Sequence, residues 1–182
     1  MFRIVVAIVF IILTLVVCRR AQKSQSLSDD GCVLWSCVLL WIFAIAWLCA
    51  VVYFAFLIRQ PGDHGGINTE PFWEAKRAFT LLGPTILSGF KITSKALFMD
   101  IVLNILLFVP FGMIVPVLFQ KLRRIWVVPL GLLCSFCIEG IQYLTALGMA
   151  DVDDLINNTI GALLGFLIYL LFIRHSEKSV DD

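Results

Sequence analysis

Five long apolar runs dictate what this chain can become: Ile4 to Cys18, Cys32 to Ile58, Ile101 to Phe119, Ile125 to Leu147 and Leu155 to Ile173. A helix needs about 20 apolar residues to cross the hydrocarbon core of a bilayer. In lipid every backbone polar group must be satisfied within the span, which a helix does by itself. The chain is 60% hydrophobic and 15% charged, against about 45–50% and 25% in a soluble domain. It has too little polar surface to hide these runs from water. The sequence therefore predicts an all-α polytopic membrane helix bundle with five transmembrane helices. A soluble enzyme, a disordered protein and a secreted disulfide scaffold are excluded. A net charge of +1 leaves no electrostatic footprint for a nucleic-acid partner. The six cysteines, Cys134 and Cys137 included, lie in or beside the apolar runs, where Cys acts as a small hydrophobe.

Basic residues set the expected orientation. The first run follows Arg3, as a signal peptide would, but Arg19 and Arg20 come directly after it with no small-residue cleavage site. It reads as a retained helix. Arg19, Arg20 and Lys23 follow the first run; Lys121, Arg123 and Arg124 separate the third and fourth; Arg174 and Lys178 follow the fifth. The positive-inside rule places all three groups in the cytoplasm. The segment from Gly148 to Asp154 has three Asp and no Lys or Arg, so it falls outside, together with the loop from Arg59 to Lys95. This predicts an outside N-terminus and a cytoplasmic C-terminus in the cell membrane. Within the loop, Pro61, Gly62, Gly65 and Gly66 mark turns. Phe72, Phe79 and Leu82 then recur at helical spacing, which fits a short helix on the membrane surface or a plain connection.

Polar and ionisable groups inside a membrane are costly, so each is a functional candidate. In the fourth run Ser135, Glu139, Gln142 and Ala146 are spaced 4, 3 and 4 apart and share one narrow face. In the fifth, Asp151, Asp154, Asn158, Gly161, Gly165 and Tyr169 fall in a stripe roughly 80° wide. Gly161 and Gly165 form a small-x-x-x-small ridge suited to close helix approach. In the third, Asn104 shares a face with Phe108 and Phe111, and Pro110 should kink the helix. At 1.5 Å per residue, Asn104, Glu139 and Asn158 lie about 25, 22 and 24 Å from the basic residue that ends each span. Three spans thus place a polar group at one depth, with Asp151 and Asp154 just above. A shared site and a structural hydrogen-bond network both produce that layer.

Four motifs follow one another along the chain. Asn68, Pro71 and Phe72 form N-x-x-P-F; Asn104, Phe108, Pro110, Phe111 and Gly112 form N-x-x-x-F-x-P-F-G; Glu139 and Gln142 form E-x-x-Q; Asp151, Asp154, Asn158 and Gly161 form D-x-x-D-x-x-x-N-x-x-G. In these motifs the chain resembles the VanZ-like family, over roughly Cys32 to Ile173. Many members of that family carry an Arg just before the first Asp of the last motif; Leu147-Gly148-Met149-Ala150 stands there instead. The organisation expected is an additional N-terminal helix with a basic linker (1–31), a VanZ-like membrane domain (32–173) and a polar tail (174–182).

The resemblance implies a link to low-level resistance to the glycopeptide teicoplanin and names no reaction. Two functions follow as expectations. In the first, Asn104, Glu139, Gln142, Asp151, Asp154 and Asn158 line an outward-facing site. There they bind an envelope precursor or another amphiphilic ligand beside membrane lipid, and antibiotic access changes. In the second, the chain is an intramembrane enzyme for a lipid-linked envelope precursor, with Glu139 as general acid or base and Asp151 and Asp154 offering oxygen ligands to a divalent cation. His64 and His175 lie away from the layer, and no inverted repeat points to a transporter. The sequence names no cofactor, no resident metal and no oligomeric state.

Overall fold

A computed structural model describes residues 2–27, 30–57, 67–73, 76, 85–87, 90–92, 94–147 and 150–173. Among the described residues five helices carry the fold: α1 (Phe2–Leu27), α2 (Asp30–Val52), α3 (Ser94–Leu118), α4 (Val127–Thr145) and α5 (Val152–Ile168). α2 and α5 each end in a π-helical turn, Tyr53–Leu57 and Tyr169–Ile173. Among the described residues all five are long and apolar enough to cross a membrane, so this is a multi-pass membrane protein. α1 does not stop at Cys18. It runs on through Arg19, Arg20 and Lys23 to Leu27, because Ala21, Gln22 and Ser24 turn inward while the basic residues stay exposed.

Among the described residues four short strands add to the helices. β1 (Ile67–Asn68) pairs in parallel with β4 (Ala150–Asp151), and β2 (Thr85–Leu87) pairs antiparallel with β3 (Phe90–Ile92). Lys76 N–H donates to the Phe72 carbonyl at 2.8 Å, but most of the stretch expected to be a surface helix or a plain connection, Phe79 and Leu82 included, lies outside the described residues.

α3 is the hub, packing against α1, α2, α4 and α5. Its contact with α5 is the most extensive and depends on glycine. A Cβ at Gly165 would lie 2.0 Å from the Val109 carbonyl oxygen, one at Gly161 2.2 Å from that of Ile105, and one at Gly112 2.1 Å from that of Ala162. The Gly161–Gly165 ridge is therefore spent on a contact inside the chain. Without a hydrophobic drive between helices in lipid, such close approach is what dispersion has to work with. Cys18, Leu40, Met113, Val117 and Tyr169 fill the core beside it. Ile8, Ile12 and Val16 of α1, Trp41, Ile45 and Leu48 of α2, and Leu133, Phe136 and Leu144 of α4 stay exposed, forming the apolar surface that lipid covers.

Two prolines interrupt α3, and a neighbour answers each. Proline removes one N–H and its ring pushes the preceding turn open, baring carbonyls there. The Trp47 indole N–H of α2 donates to the Leu107 carbonyl, three residues before Pro110, at 2.6 Å. The Cys18 thiol of α1 reaches the Met113 carbonyl, three residues before Pro116, at 3.8 Å. The missing N–H groups would have met the Leu106 and Gly112 carbonyls, four residues before each proline; the adjacent helices bond the next carbonyl of each turn instead.

Candidate functional site

The antiparallel helices sort their polar groups by end. At one end Arg19 and Arg20 follow Cys18, and the Arg124 guanidinium lies 6.0 Å from the centre of the Tyr169 ring. At the other, the C-terminus of α2, the N-terminal half of α3, the C-terminus of α4 and the N-terminus of α5 meet.

α5 starts there because Asp151 caps it. The Asp151 side chain accepts from Asp153 N–H at 2.8 Å, satisfying one of the orphan donors of the first turn. Asp153 and Asp154 then place negative charge on the positive end of the helix dipole. The N-x-x-P-F motif docks on this terminus. Asn68 donates to both Asp151 carboxylate oxygens, at 3.2 and 3.1 Å, while its own oxygen accepts from Glu70 N–H at 3.2 Å. Pro71 sets the turn, and Phe72 takes a positive φ of 60° that aims its N–H at the Asp153 carboxylate. The parallel pairing of Asn68 with Asp151 belongs to the same clasp.

The other three motifs meet just beneath. Asp151 N–H donates to Glu139 Oε2 at 3.0 Å, joining α4 to the cap of α5. The Asn104 amide donates to Asp154 Oδ1, joining α3 to α5. The Asn158 amide donates to the Ser135 hydroxyl at 2.9 Å. The Gln142 amide donates to the Ala55 carbonyl at 2.9 Å, a carbonyl of the π-helical turn that ends α2. Such turns are frequent at functional sites. α4 itself ends immediately after, since Ala146 adopts φ 52° and Leu147 N–H closes on the Gln142 carbonyl at 3.2 Å. Ala146 is thus the cap of α4 rather than the last member of its polar face.

Between these groups lies a cavity of about 30 Å³. Asn104, Glu139, Gln142, Asp154 and Asn158 form its polar wall; Val51, Phe54, Leu107, Phe108 and Ile138 form its apolar wall. Five of the six residues singled out in the sequence as ligand-binding therefore line one space. Asp151 does not; it caps α5 and holds Asn68 and Glu139. The remaining motif residues shape the surroundings. Phe108 stands edge-on to Trp47 with ring centres 5.9 Å apart, Phe111 lies 5.5 Å from the same ring, and Pro110, Gly112, Gly161 and Gly165 set the course and spacing of α3 and α5.

Sequence reasoning did not assign Asp153, Ser135 or the Ala55 carbonyl to the site. Asp153 carried a signal, being a third acid at the start of α5. Ser135 shares the Glu139 face. A backbone carbonyl has no signature in sequence.

The family model described as VanZ/LLP1 matches residues 4–173. That stretch takes in α1, which the four motifs leave out. Protein VanZ of Enterococcus faecium is 32% identical over 90 residues, covering 49% of this chain and 56% of that relative. The chain thus spans about half the length of the curated relative it matches. No solved structure matches it significantly.

Proposed function

The chain belongs to the VanZ/LLP1 family, and we propose that it works at the cell envelope, where its polar cavity faces outward and its presence lowers susceptibility to glycopeptides such as teicoplanin. The carrying observation is the convergence of three family motifs on one cavity at the end of the bundle opposite Arg19, Arg20 and Arg124. The positive-inside rule puts those arginines in the cytoplasm of a cell membrane and the cavity toward the envelope. In that position the protein binds an envelope component and alters the access of an antibiotic that works outside the membrane. At about 30 Å³ the cavity admits only a small group, so it recognises one end of a larger molecule. Acid–base chemistry by Glu139 has less in its favour, since Glu139 accepts the backbone N–H of Asp151, the residue whose side chain caps α5. The test is deletion of the gene, with teicoplanin susceptibility and binding of fluorescent teicoplanin to the cell surface measured together. The expected result is higher susceptibility with a change in surface binding. No change in either contradicts the proposal.

A further inference from the structure

Two buried oxygens distinguish the cavity from the rest of the polar end. Gln142 Oε1 and Asn158 Oδ1 have no hydrogen-bond partner, although their residues are only 1% and 5% exposed. A buried acceptor left unpaired is costly and calls for an explanation. The orientation of Gln142 is fixed by its neighbour: the Ala55 carbonyl only accepts, so the amide nitrogen faces it, and the oxygen stays buried and unpartnered in a residue of the cavity wall. Asn158 spends one amide hydrogen on Ser135, and Asn104 spends one on Asp154. The three amides thus direct donors into the protein, and the carboxylates of Glu139 and Asp154 complete a wall of acceptors.

Volume and the opposite wall narrow the ligand. A water-sized group needs about 10–15 Å³ on this measure, so a cavity of about 30 Å³ holds roughly two heavy atoms. The wall facing the acceptors is carbon, from Phe54, Leu107, Phe108 and Ile138. We propose that the cavity takes the terminal CH2–NH3+ of a primary amine. Its three N–H donors meet Gln142 Oε1, Asn158 Oδ1 and a carboxylate, and its carbon rests on the apolar wall. A hard metal ion is the poorer fit. It requires oxygen on all sides, and among the described residues no three His, Cys, Asp or Glu are placed to hold one. The amine belongs to a membrane amphiphile or to a molecule arriving from water. α2 and α4 meet chiefly through the π-helical turn, where the Gln142–Ala55 strut closes the seam beside the cavity. The inference rests on the preceding proposal only in treating the cavity as the binding site.

The test uses the full-length protein in nanodiscs of phosphatidylcholine, whose quaternary headgroup has no N–H to donate. Radiolabelled methylammonium is titrated against it. The expected result is saturable binding of one probe per chain, displaced by ethylamine but not by equal tetramethylammonium or sodium. Gln142→Leu should weaken binding at least tenfold. Because that variant also cuts the strut to α2, Ile138→Phe, which adds three side-chain heavy atoms beside the cavity and removes no hydrogen bond, should do the same at nearly unchanged melting temperature. Repeating the titration in discs containing phosphatidylethanolamine separates the sources. Competition assigns a lipid amine, and undiminished methylammonium binding assigns an amine from water. Absent saturable binding, or equal displacement by sodium or tetramethylammonium, overturns the inference. A teicoplanin phenotype that persists without amine binding overturns this inference alone, whereas amine binding without any phenotype on deletion overturns the envelope proposal alone.

Discussion

The two ends of the bundle are held together by different physics. Toward the basic end, Cys18, Leu40, Met113, Val117 and Tyr169 pack a dry core, and glycines bring α3 and α5 to backbone contact. Polar groups remain there too: the Cys18 thiol reaches the Met113 carbonyl, and the Ser24 hydroxyl is buried without a hydrogen-bond partner. At the other end, carboxylates and amides from four segments hold one another, and two oxygens stay unanswered. Unmade hydrogen bonds at membrane depth are expensive wherever they occur. What sets the wet end apart is that two residues with unpaired oxygens line one cavity together with two carboxylates, and on that ground ligand recognition is assigned there and stability to the dry end.

That division predicts where substitutions hurt folding. The largest effect should come from Gly165→Leu, because even a Cβ there would lie 2.0 Å from the Val109 carbonyl oxygen. Overpacking costs about 1–3 kcal/mol even where side chains can move aside, and this backbone cannot. We expect loss of the folded protein's peak by size-exclusion chromatography in detergent. The control is Gly140→Ala, which has open space around its Cβ and should leave the elution profile unchanged. Tolerance of Gly165→Leu would remove the glycine seam from the account.

Next in size is Asp151→Ala. It deletes the cap of α5 and both bonds from Asn68, a loss of about 1–2 kcal/mol for the cap and somewhat more with the bonds to Asn68. Asn68→Ala should cost less. The double variant should cost less than the sum of the two, because the residues act as one clasp. Additive losses in thermal melts would show that the clasp is not a unit.

Much of this arrangement was legible in the sequence, for reasons specific to membranes. The spans show because lipid demands long apolar runs, and the buried faces of α4 and α5 show because polar residues recur there at helical spacing. Asp151, Asp154, Asn158, Gly161, Gly165 and Tyr169 are all buried, as the stripe requires. What was hidden depends on backbone or on partners distant in the chain. The Ala55 carbonyl becomes an acceptor only because α2 ends in a π-helical turn. Trp47 looks like any aromatic residue of an apolar run until Pro110 of another helix bares a carbonyl beside it. The continuation of α1 past Cys18 was masked by Arg19 and Arg20, whose charges suggested an end where the inward face continues.

Smaller effects sharpen the comparison. Ala146 caps α4 in the left-handed region, where a side chain costs about 1–2 kcal/mol relative to glycine. Ala146→Gly should therefore raise the melting temperature, and a fall would mean that the cap is not strained. At the dry end Cys18→Ala changes little of the packing and gives up the thiol's bond to the Met113 carbonyl. Interhelical hydrogen bonds in membranes average about 0.6 kcal/mol, so the melting temperature should drop slightly with teicoplanin susceptibility unchanged. A resistance defect from this variant would erase the distinction between the ends.

Asn158→Leu puts the central claim to its most direct test, with membrane abundance and teicoplanin susceptibility measured in the same cells. The side chain gives up one hydrogen bond, to Ser135, and an oxygen that no protein group uses. If the polar end is a binding site, the variant accumulates in the membrane at close to wild-type amounts and the cells become as susceptible as the deletion strain. If it is a structural network instead, the protein disappears from the membrane, or it persists with full protection.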